Sequence, residues 1–307
     1  MKTGPEVDLR STLLEDLPVT ERRIEVAGVP TAVLEGGSGP PVVLLHGPGE
    51  SALWWMRVIP ALVRDHHVVA PDLPGQGASE AGGDETYTID GMLSWLAALI
   101  EEICESRPVV VGHVLGGAIA ARFAVASPDR IDHLVLVDSL GLAPFRPSIR
   151  FAFRLLSFSL RPRKSTYLRF LPHCMYDVEE LREALGRRWE PFVAYNLECA
   201  RSSETQAATR ALMGRVAFRT IPRDDLHALT VPTTLIWGRH DRALSLEIAE
   251  EARDRYGWPL HIIDDTRDDP KLERPEAFLR AFRSAMSGSE PRHDGQTLVR
   301  GEEARET

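Results

Sequence analysis

The stretch VVVGHVLGGAIAA, residues 109 to 121, decides the fold class of this 307-residue chain. Its first three residues are apolar and β-branched, which is typical of a buried strand. The small residues from Gly116 to Ala121 come next and favour a helix. Glycines stand two positions before and two positions after Val114, where they let a strand and a helix approach closely. The stretch therefore predicts a strand, a sharp turn at Val114 and a helix.

The same alternation extends along most of the chain. The strand-like runs are RRIEV, TAVLE, PVVLL, HHVVA, VVVG, HLVLVD, TTLIW and LHIID. Helical patterns lie between them at residues 52–64, 87–106, 116–126, 246–256 and 275–286. Strands that alternate with helices predict an α/β protein with a mainly parallel sheet flanked by helices. The first two runs, joined around Gly28, predict an antiparallel hairpin at the start of that sheet.

The alternation stops between about residues 141 and 225, where no strand is recognisable and aromatic residues and arginines are frequent. We predict a helical cap at 141–225 on a core made of residues 1–140 and 226–286. The polar, aperiodic segment 287–307 is predicted to be a disordered tail. One cap helix carries Arg146, Arg150 and Arg154, and a membrane-surface role is one interpretation of it. We favour the other interpretation, in which its apolar side faces the pocket and its arginines face water.

Composition argues against several function classes. The formal charge of −9 and the pI near 5.6 disfavour nucleic acid as a partner. No apolar run is long enough to span a membrane, and the start MKTGPEVDLR lacks an apolar signal segment. Cys104, Cys174 and Cys199 match no disulfide framework or metal spacing, so we expect a reduced cytoplasm and no metal site. We also expect no cofactor. A homo-oligomer remains open.

Several motifs, in order, resemble those of the α/β-hydrolase superfamily from about residue 22 to 286. HGPG at 46–49 resembles the family's oxyanion loop, and DLPGQGAS at 72–79 resembles its turn motif. GHVLG at 112–116 resembles the nucleophile elbow. WGRHD at 237–241 resembles the segment with the catalytic acid, and LERPEAF at 272–278 resembles the segment after the catalytic histidine. The resemblance implies an α/β-hydrolase fold with a helical cap after the sixth strand.

The residues of the hydrolytic machinery are missing from this frame. Val114 stands where the elbow G-x-S-x-G has its serine. Counting back from Glu273 places Asp268 where the family has its histidine, so of the triad only the acid, Asp241, is retained. The family's oxyanion donors would be the backbone N–H of Leu115 and that of the residue after His-Gly. Here that residue is Pro48, which has no N–H, although a shift by one residue could recruit Gly49.

Other polar residues near the elbow are weaker candidates. Ser139 and Ser51 follow strands but not a strained elbow, and Asp138 could replace Asp241 as the acid. His113 is interpreted as structural, and His46 as a support of the oxyanion loop. We predict an apolar pocket between core and cap, lined by Val114 and by the following residues: His46, Trp54, Trp55 and Ser139.

Two hypotheses of different classes follow. The first is a non-hydrolytic acid/base enzyme, such as a lyase, cyclase or isomerase, that acts on a small apolar or aromatic molecule. Asp241 and Asp268 would then be a closely spaced carboxylate pair that shares a proton, unless Arg239 or Arg267 neutralises it. The second is a non-catalytic pseudo-hydrolase that binds a small molecule or serves as an interaction partner.

Overall fold

The computed structural model describes residues 8–288 and contains one eight-stranded sheet. The spatial order of the strands is β1-β2-β4-β3-β5-β6-β7-β8. The first two pairings, β1 with β2 and β2 with β4, are antiparallel, and the other five are parallel. The strands are β1 Thr20–Val26, β2 Val29–Gly36, β3 Pro41–Leu45, β4 His67–Pro71, β5 Val109–His113, β6 His133–Val137, β7 Thr233–Gly238 and β8 Leu260–Ile263. The predicted fold class and the predicted hairpin are confirmed.

Helices cover both faces of the sheet. The helices of the sheet layers are α1 Leu9–Leu14, α2 Ile59–Leu62, α3 Ile89–Ile103, α4 Leu115–Ala126, α11 Leu246–Tyr256, α12 Pro270–Glu273 and α13 Pro275–Ser287. The helical pattern at 52–64 forms two short pieces, a 3₁₀ turn over Ala52–Trp55 and then α2. Pro60 fits the second position of α2 because the missing N–H has no intrahelical partner there.

Residues 138–232 are helical or turn and contain no strand. Their helices are α5 Ile149–Leu160, α6 Lys164–Cys174, α7 Val178–Leu185, α8 Trp189–Arg201, α9 Ser203–Leu212 and α10 Arg223–His227. A π-helical turn, Met213–Ala217, follows α9. The predicted border between cap and core at 225/226 falls inside α10, and the rest of the proposed division stays a prediction. Of the predicted tail, residues 289–307 lie outside the described residues.

Two apolar clusters hold the layers together, one on each face of the sheet. The first joins α3 and α4 to the cap through residues such as Leu212 and Val216. The second joins the Trp54–Trp55 segment and α13 to the cap through residues such as Phe192. Because both clusters contain cap residues, the cap packs on the elbow helix α4 from one side and on the segment after β3 from the other.

The N-terminal helix α1 was not predicted from the sequence. Arg10 is buried there and forms ion pairs with Asp72 at 2.9 Å and Glu21 at 3.0 Å. Its guanidinium also donates to the Tyr195 hydroxyl at 2.8 Å. Arg10 thus connects the turn after β4 with the hairpin and with α8 of the cap.

Candidate functional site

Val114 occupies the sharp turn between β5 and α4, as the sequence predicts. Its φ of 45° and ψ of −99° lie in a region that β-branched residues rarely adopt. The turn is held by backbone hydrogen bonds from Val114 N–H to the Val137 carbonyl and from Leu140 N–H to the Val114 carbonyl, both 3.1 Å. A Cβ at Gly112 would collide with the carbonyl oxygen of Gly116, which explains the glycine frame. The geometry of a nucleophile elbow is therefore present without a nucleophile.

The oxyanion loop does not present a free second donor. Gly47 N–H donates to Glu50 Oε2 at 2.8 Å, and Pro48 has no N–H. Gly49, with a φ of 73°, donates its N–H to Gln76 Oε1 at 2.8 Å. Leu115 begins α4, where an N–H has no intrahelical acceptor. At most one of the two expected donors is thus available.

His46 supports the loop, which is the role the sequence suggested. It is fully buried, its Nδ1 lies 2.8 Å from the Gly47 carbonyl, and its Nε2 accepts from Leu73 N–H at 2.9 Å. Burial lowers the pKa of His46 and so favours the neutral ring that this pattern requires. His46 therefore packs inside the loop and does not open onto a cleft.

The other residues predicted to line the pocket are also buried. Trp55 is fully buried and packs against Phe278, with ring centroids 6.0 Å apart. Trp54 donates its indole N–H to Asn196 Oδ1 at 2.9 Å and packs against Phe192. The Ser139 hydroxyl donates to the Leu140 carbonyl. These side chains are therefore enclosed by their neighbours, and Trp55 Nε1 is buried there without a hydrogen-bond partner.

Two clefts that the structure displays lie away from the elbow. One, of about 270 Å³, lies between Arg57, α7 and the start of α13. The other, of about 340 Å³, lies within the cap among α6, α7 and α8. Neither is lined by Val114, His46, Trp54, Trp55 or Ser139. The pocket predicted at these residues therefore stays a prediction.

Three aspartates gather at the carboxyl ends of the last strands, and we call them the aspartate cluster: Asp138, Asp241 and Asp268. Asp138 follows β6, Asp241 follows β7, and Asp268 lies in the loop between β8 and α12. One Asp138 oxygen accepts from Gly238 N–H at 3.0 Å. One Asp241 oxygen accepts from Ala243 and Leu244 N–H at 2.7 and 2.9 Å.

Each of these carboxyls also has a buried oxygen with no hydrogen-bond partner, namely Asp138 Oδ2, Asp241 Oδ2 and Asp268 Oδ1. Burial raises the pKa of Asp241 to about 7. Burial, and next the charge of Asp241, raise the pKa of Asp138 and of Asp268 well above the usual range. The N–H groups of Leu244 and Ala243, which donate to the other Asp241 oxygen, partly offset the rise at Asp241. Protonated carboxyls therefore persist in this cluster near neutral pH.

The sequence anticipated Asp241 and Asp268 as a pair, but it gave Asp138 only a secondary role. The position of Asp138 directly after β6 could have indicated this residue, because β6 pairs in parallel with β7 and parallel neighbours bring their carboxyl ends together. Neither arginine considered as a neutralising partner forms an ion pair with the cluster: Arg239 pairs with Asp264, and Arg267 donates to the Met175 carbonyl. Asp268 and Val114 are the half-buried, and thus most accessible, members of this region.

A second buried group adjoins the elbow, and we call it the lysine network: Glu50, His113, Asp269 and Lys271. Lys271 is fully buried, and its ammonium lies 2.5 Å from Asp269 Oδ1 and 3.1 Å from His113 Nδ1. It also lies over the rings of Trp54 and Trp55, 5.7 and 5.1 Å from their centroids. His113 Nε2 donates to the Asp268 carbonyl at 2.6 Å. His113 therefore connects the elbow strand to the loop that carries Asp268.

The lysine network was missed by sequence reasoning. The sequence offers no periodic signal for a buried lysine, although Lys271 directly precedes the segment 272–278 that resembles a family motif. Glu50, His113 and Asp269 bring oxygen and nitrogen atoms within 4.8 Å of one another, a spacing that could hold a metal ion. The Lys271 ammonium already supplies a cation at that position, since it contacts Asp269 and His113 directly. Burial alone would raise the pKa of Glu50, but the Lys271 charge outweighs it and holds the pKa at about 2.

None of the helices among residues 8–288 is both long enough and apolar enough to cross a membrane.

Comparison with known proteins places this geometry in context. Residues 40–267 match the family model described as alpha/beta hydrolase fold. The chain is 34% identical over 280 residues to 2-hydroxy-6-oxo-2,4-heptadienoate hydrolase of Pseudomonas putida. This alignment covers 88% of the chain and 97% of the relative. It is 36% identical over 278 residues to 2-hydroxy-6-oxo-6-(2'-aminophenyl)hexa-2,4-dienoic acid hydrolase of Metapseudomonas resinovorans, covering 87% and 91%.

A solved structure shares the architecture. The 2-hydroxy-6-oxo-6-phenylhexa-2,4-dienoate hydrolase of Rhodococcus sp. strain RHA1 superposes with a TM-score of 0.76 at 26% identity. The superposition covers 88% of this chain and 99% of that one. The names of all three proteins describe hydrolases of 2-hydroxy-6-oxo dienoic acids.

Proposed function

The chain belongs to the alpha/beta hydrolase fold family, and from that premise we propose that it performs proton-transfer chemistry in place of hydrolysis. The proposed activity is that of a non-hydrolytic acid/base enzyme, of isomerase, lyase or cyclase type, on a small and largely apolar molecule. The residues proposed to carry it are Asp241 and Asp268, with Asp138 as the positioning residue behind Asp241.

One observation carries this proposal: buried aspartates with raised pKa values and unpartnered oxygens lie beside an elbow that has no nucleophile. A serine hydrolase needs a nucleophile, a base next to it and two oxyanion donors. Val114 and Asp268 remove the first two, and the Gly49 to Gln76 hydrogen bond engages the second donor. The retained groups are carboxyls, whose chemistry without a nucleophile is proton transfer.

A carboxylic acid beside a carboxylate can donate one proton and accept another in the same complex. For an enol substrate, the carboxylate takes the enol O–H proton while the acid delivers a proton to carbon. The sum of these two transfers is an isomerisation that needs no co-reactant. Asp268, as the half-buried member, is proposed to face the substrate, and Asp241 to exchange the proton with it.

The substrates after which these relatives are named suggest a first probe. A 2-hydroxy-6-oxo-2,4-dienoate is a conjugated enol. Its conversion to the keto form, by transfer of a proton from oxygen to carbon, shortens the conjugated system and so lowers the absorbance of the enol. We expect the protein to accelerate this loss of absorbance while mass spectrometry shows an isomer of unchanged mass. Asp268→Asn and Asp241→Asn should each abolish the acceleration, since each removes a titratable carboxyl. Asp264→Asn, which changes an exposed aspartate, is the matched control.

Fragments of a cleaved substrate would contradict the proposal, and so would covalent labelling of a serine by a fluorophosphonate probe. A second candidate function is that of a non-catalytic binder, which is favoured by Val114 at the elbow turn because valine has no reactive group. Native mass spectrometry of the purified protein separates the two: a retained small molecule with no turnover of any offered enol would favour the binder.

A further inference from the structure

Helix α5 exposes a continuous apolar stripe. Ile149, Phe153, Leu156 and Leu160 are spaced at i, i+4, i+7 and i+11, so they share one face of the helix. Their exposed fractions are 89%, 63%, 56% and 72%. Large apolar side chains exposed side by side are uncommon on soluble surfaces and mark interaction sites. This overturns the interpretation favoured from the sequence, in which the apolar side of this helix faces the pocket.

The opposite face of α5 attaches the helix to the cap. Phe151 is buried and contacts Phe170 edge to face, with ring centroids 5.6 Å apart. Phe158 stacks on Phe170 and contacts Tyr167. Phe151 and Phe158 thus pack against α6, and the exposed stripe is not needed to hold α5 in place.

The stripe lies in the most basic segment of an acidic chain. Residues 139–176 contain no Asp or Glu. Their cations are Arg146, Arg150, Arg154, Arg161, Arg163, Lys164 and Arg169. Among residues 8–288 only Lys164 of this set forms an ion pair, with Glu190 at 2.6 Å. The other six positive charges are therefore available to an anionic partner, although the whole chain carries a formal charge of −9.

We propose that α5 and the arginines around it form a docking surface for an anionic phospholipid bilayer, with α5 lying in the plane of the headgroups. An apolar face beside arginines is the pattern of helices that lie at such interfaces. Anionic lipids supply the negative charge that residues 139–176 lack, and acyl chains supply a medium for the stripe.

A second copy of the chain fits this surface less well. In a symmetric dimer the same patch faces itself, so the arginines of one copy would lie opposite those of the other. Such an arrangement brings like charges together with no acidic residue of the segment between them.

The test is co-sedimentation of the full chain with vesicles. We expect binding to vesicles of phosphatidylglycerol and phosphatidylcholine and none to vesicles of phosphatidylcholine alone, with binding weakened by added salt. Phe153→Ser/Leu156→Ser should lower affinity at least tenfold, because two exposed apolar anchors are lost. Arg150→Gln/Arg161→Gln should lower it about fivefold for each arginine. Arg210→Gln/Arg223→Gln removes the same charge from exposed positions outside the segment and should change affinity little.

All the substituted residues are exposed, so each variant is expected to fold, and unchanged thermal melting verifies this. Failure of the wild-type protein to bind anionic vesicles overturns the proposal. Equal loss of binding in the Arg210→Gln/Arg223→Gln variant would reduce it to a general charge effect and also overturn it. A solution dimer that Phe153→Ser/Leu156→Ser dissociates would assign the stripe to a second copy instead. Vesicle binding is measured without turnover, so its outcome is independent of the proposed proton transfer.

Discussion

Lys271 is the residue that most changes the interpretation of the site. A fully buried ammonium is costly unless it is paired, and here it contacts Asp269, His113 and two indole rings. Asp269 is buried and Glu50 half-buried, and the Lys271 charge opposes the effect of burial on both carboxyls. Burial still raises the pKa of Asp269, whereas the pKa of Glu50 falls to about 2. The network therefore fixes the loop that carries Asp268, through the His113 hydrogen bond.

Replacing Lys271 by methionine keeps the side-chain volume and removes the charge. We expect Lys271→Met to lower the free energy of unfolding by about 3–5 kcal/mol, because it leaves buried carboxylates unpaired. The double variant Lys271→Met/Asp269→Asn should lose less than the sum of the single losses, as contacting residues do. Urea denaturation measures both. Lys164→Met, which breaks an exposed pair with Glu190, should cost about 0–1 kcal/mol. Equal costs at the two lysines would refute the structural role of the network.

At the scale of elements, the elbow was predictable and much of its surroundings was not. The glycines around Val114 fix the close approach of β5 and α4, so a local pattern was sufficient. Other parts depend on contacts between residues far apart in sequence, such as Lys271 with Glu50 and Arg10 of α1 with Tyr195. The periodicity of apolar residues along the sequence does not indicate such contacts. The exposure of α5 was mispredicted for a related reason: both of its faces are apolar, and only the position of α6 decides which one is buried.

The retained elbow predicts how hydrolysis could be restored. Val114→Ser alone should give no turnover of activated esters, because Asp268 cannot accept the serine proton as an imidazole would. Val114→Ser/Asp268→His rebuilds nucleophile and base next to Asp241. We expect this variant to hydrolyse a nitrophenyl ester, at a rate about 10²–10³ below that of a complete site, because one oxyanion donor is engaged by Gln76. Adding Asp241→Asn should remove most of the gain, and full activity of Val114→Ser alone would show that another base serves the elbow.

Helix α1 acts through one side chain, Arg10. Its partner Asp72 is fully buried and also accepts N–H groups from Ala52 and Ala78. Arg10→Met leaves that carboxylate without its cation, so amides of α1 and α8 should exchange hydrogen at least tenfold faster. Arg22→Met, which removes an arginine paired with Glu35 at a more exposed position, is the control and should leave exchange in α8 unchanged. Unaltered protection in Arg10→Met would mean that apolar contacts alone hold α1.

At the scale of the whole molecule, stability should depend on pH in opposite directions at its two buried groups. The pKa of Glu50, about 2, is below the unfolded value, so its contribution is present above pH 4.5 and is lost as pH falls. The pKa of Asp241, about 7, is above the unfolded value of 3.8, so its contribution is present below pH 3.8 and is lost as pH rises through 7. Between pH 5 and 7 the Glu50 contribution is constant, and the aspartate cluster can be observed apart from it.

Asp241→Asn isolates this effect, because the amide keeps an oxygen for Ala243 and Leu244 N–H and does not titrate. Histidines with lowered pKa values, such as His46, are common to both proteins, so their contributions cancel in the difference. The free energy of unfolding of the variant minus that of the wild type should therefore rise by about 1.4 kcal/mol per pH unit from pH 5 to 7 and level off above it. Urea titrations at half-unit intervals of pH measure this difference, with Asp264→Asn as the exposed control.

The carbon-13 signal of the Asp268 carboxyl should meanwhile titrate at a lower pH in the variant, because the Asp241 charge that raises the pKa of Asp268 is gone. A pH-independent difference between wild type and Asp241→Asn, with Asp268 titrating near pH 4 in both, would show that the carboxyls are solvated and separate.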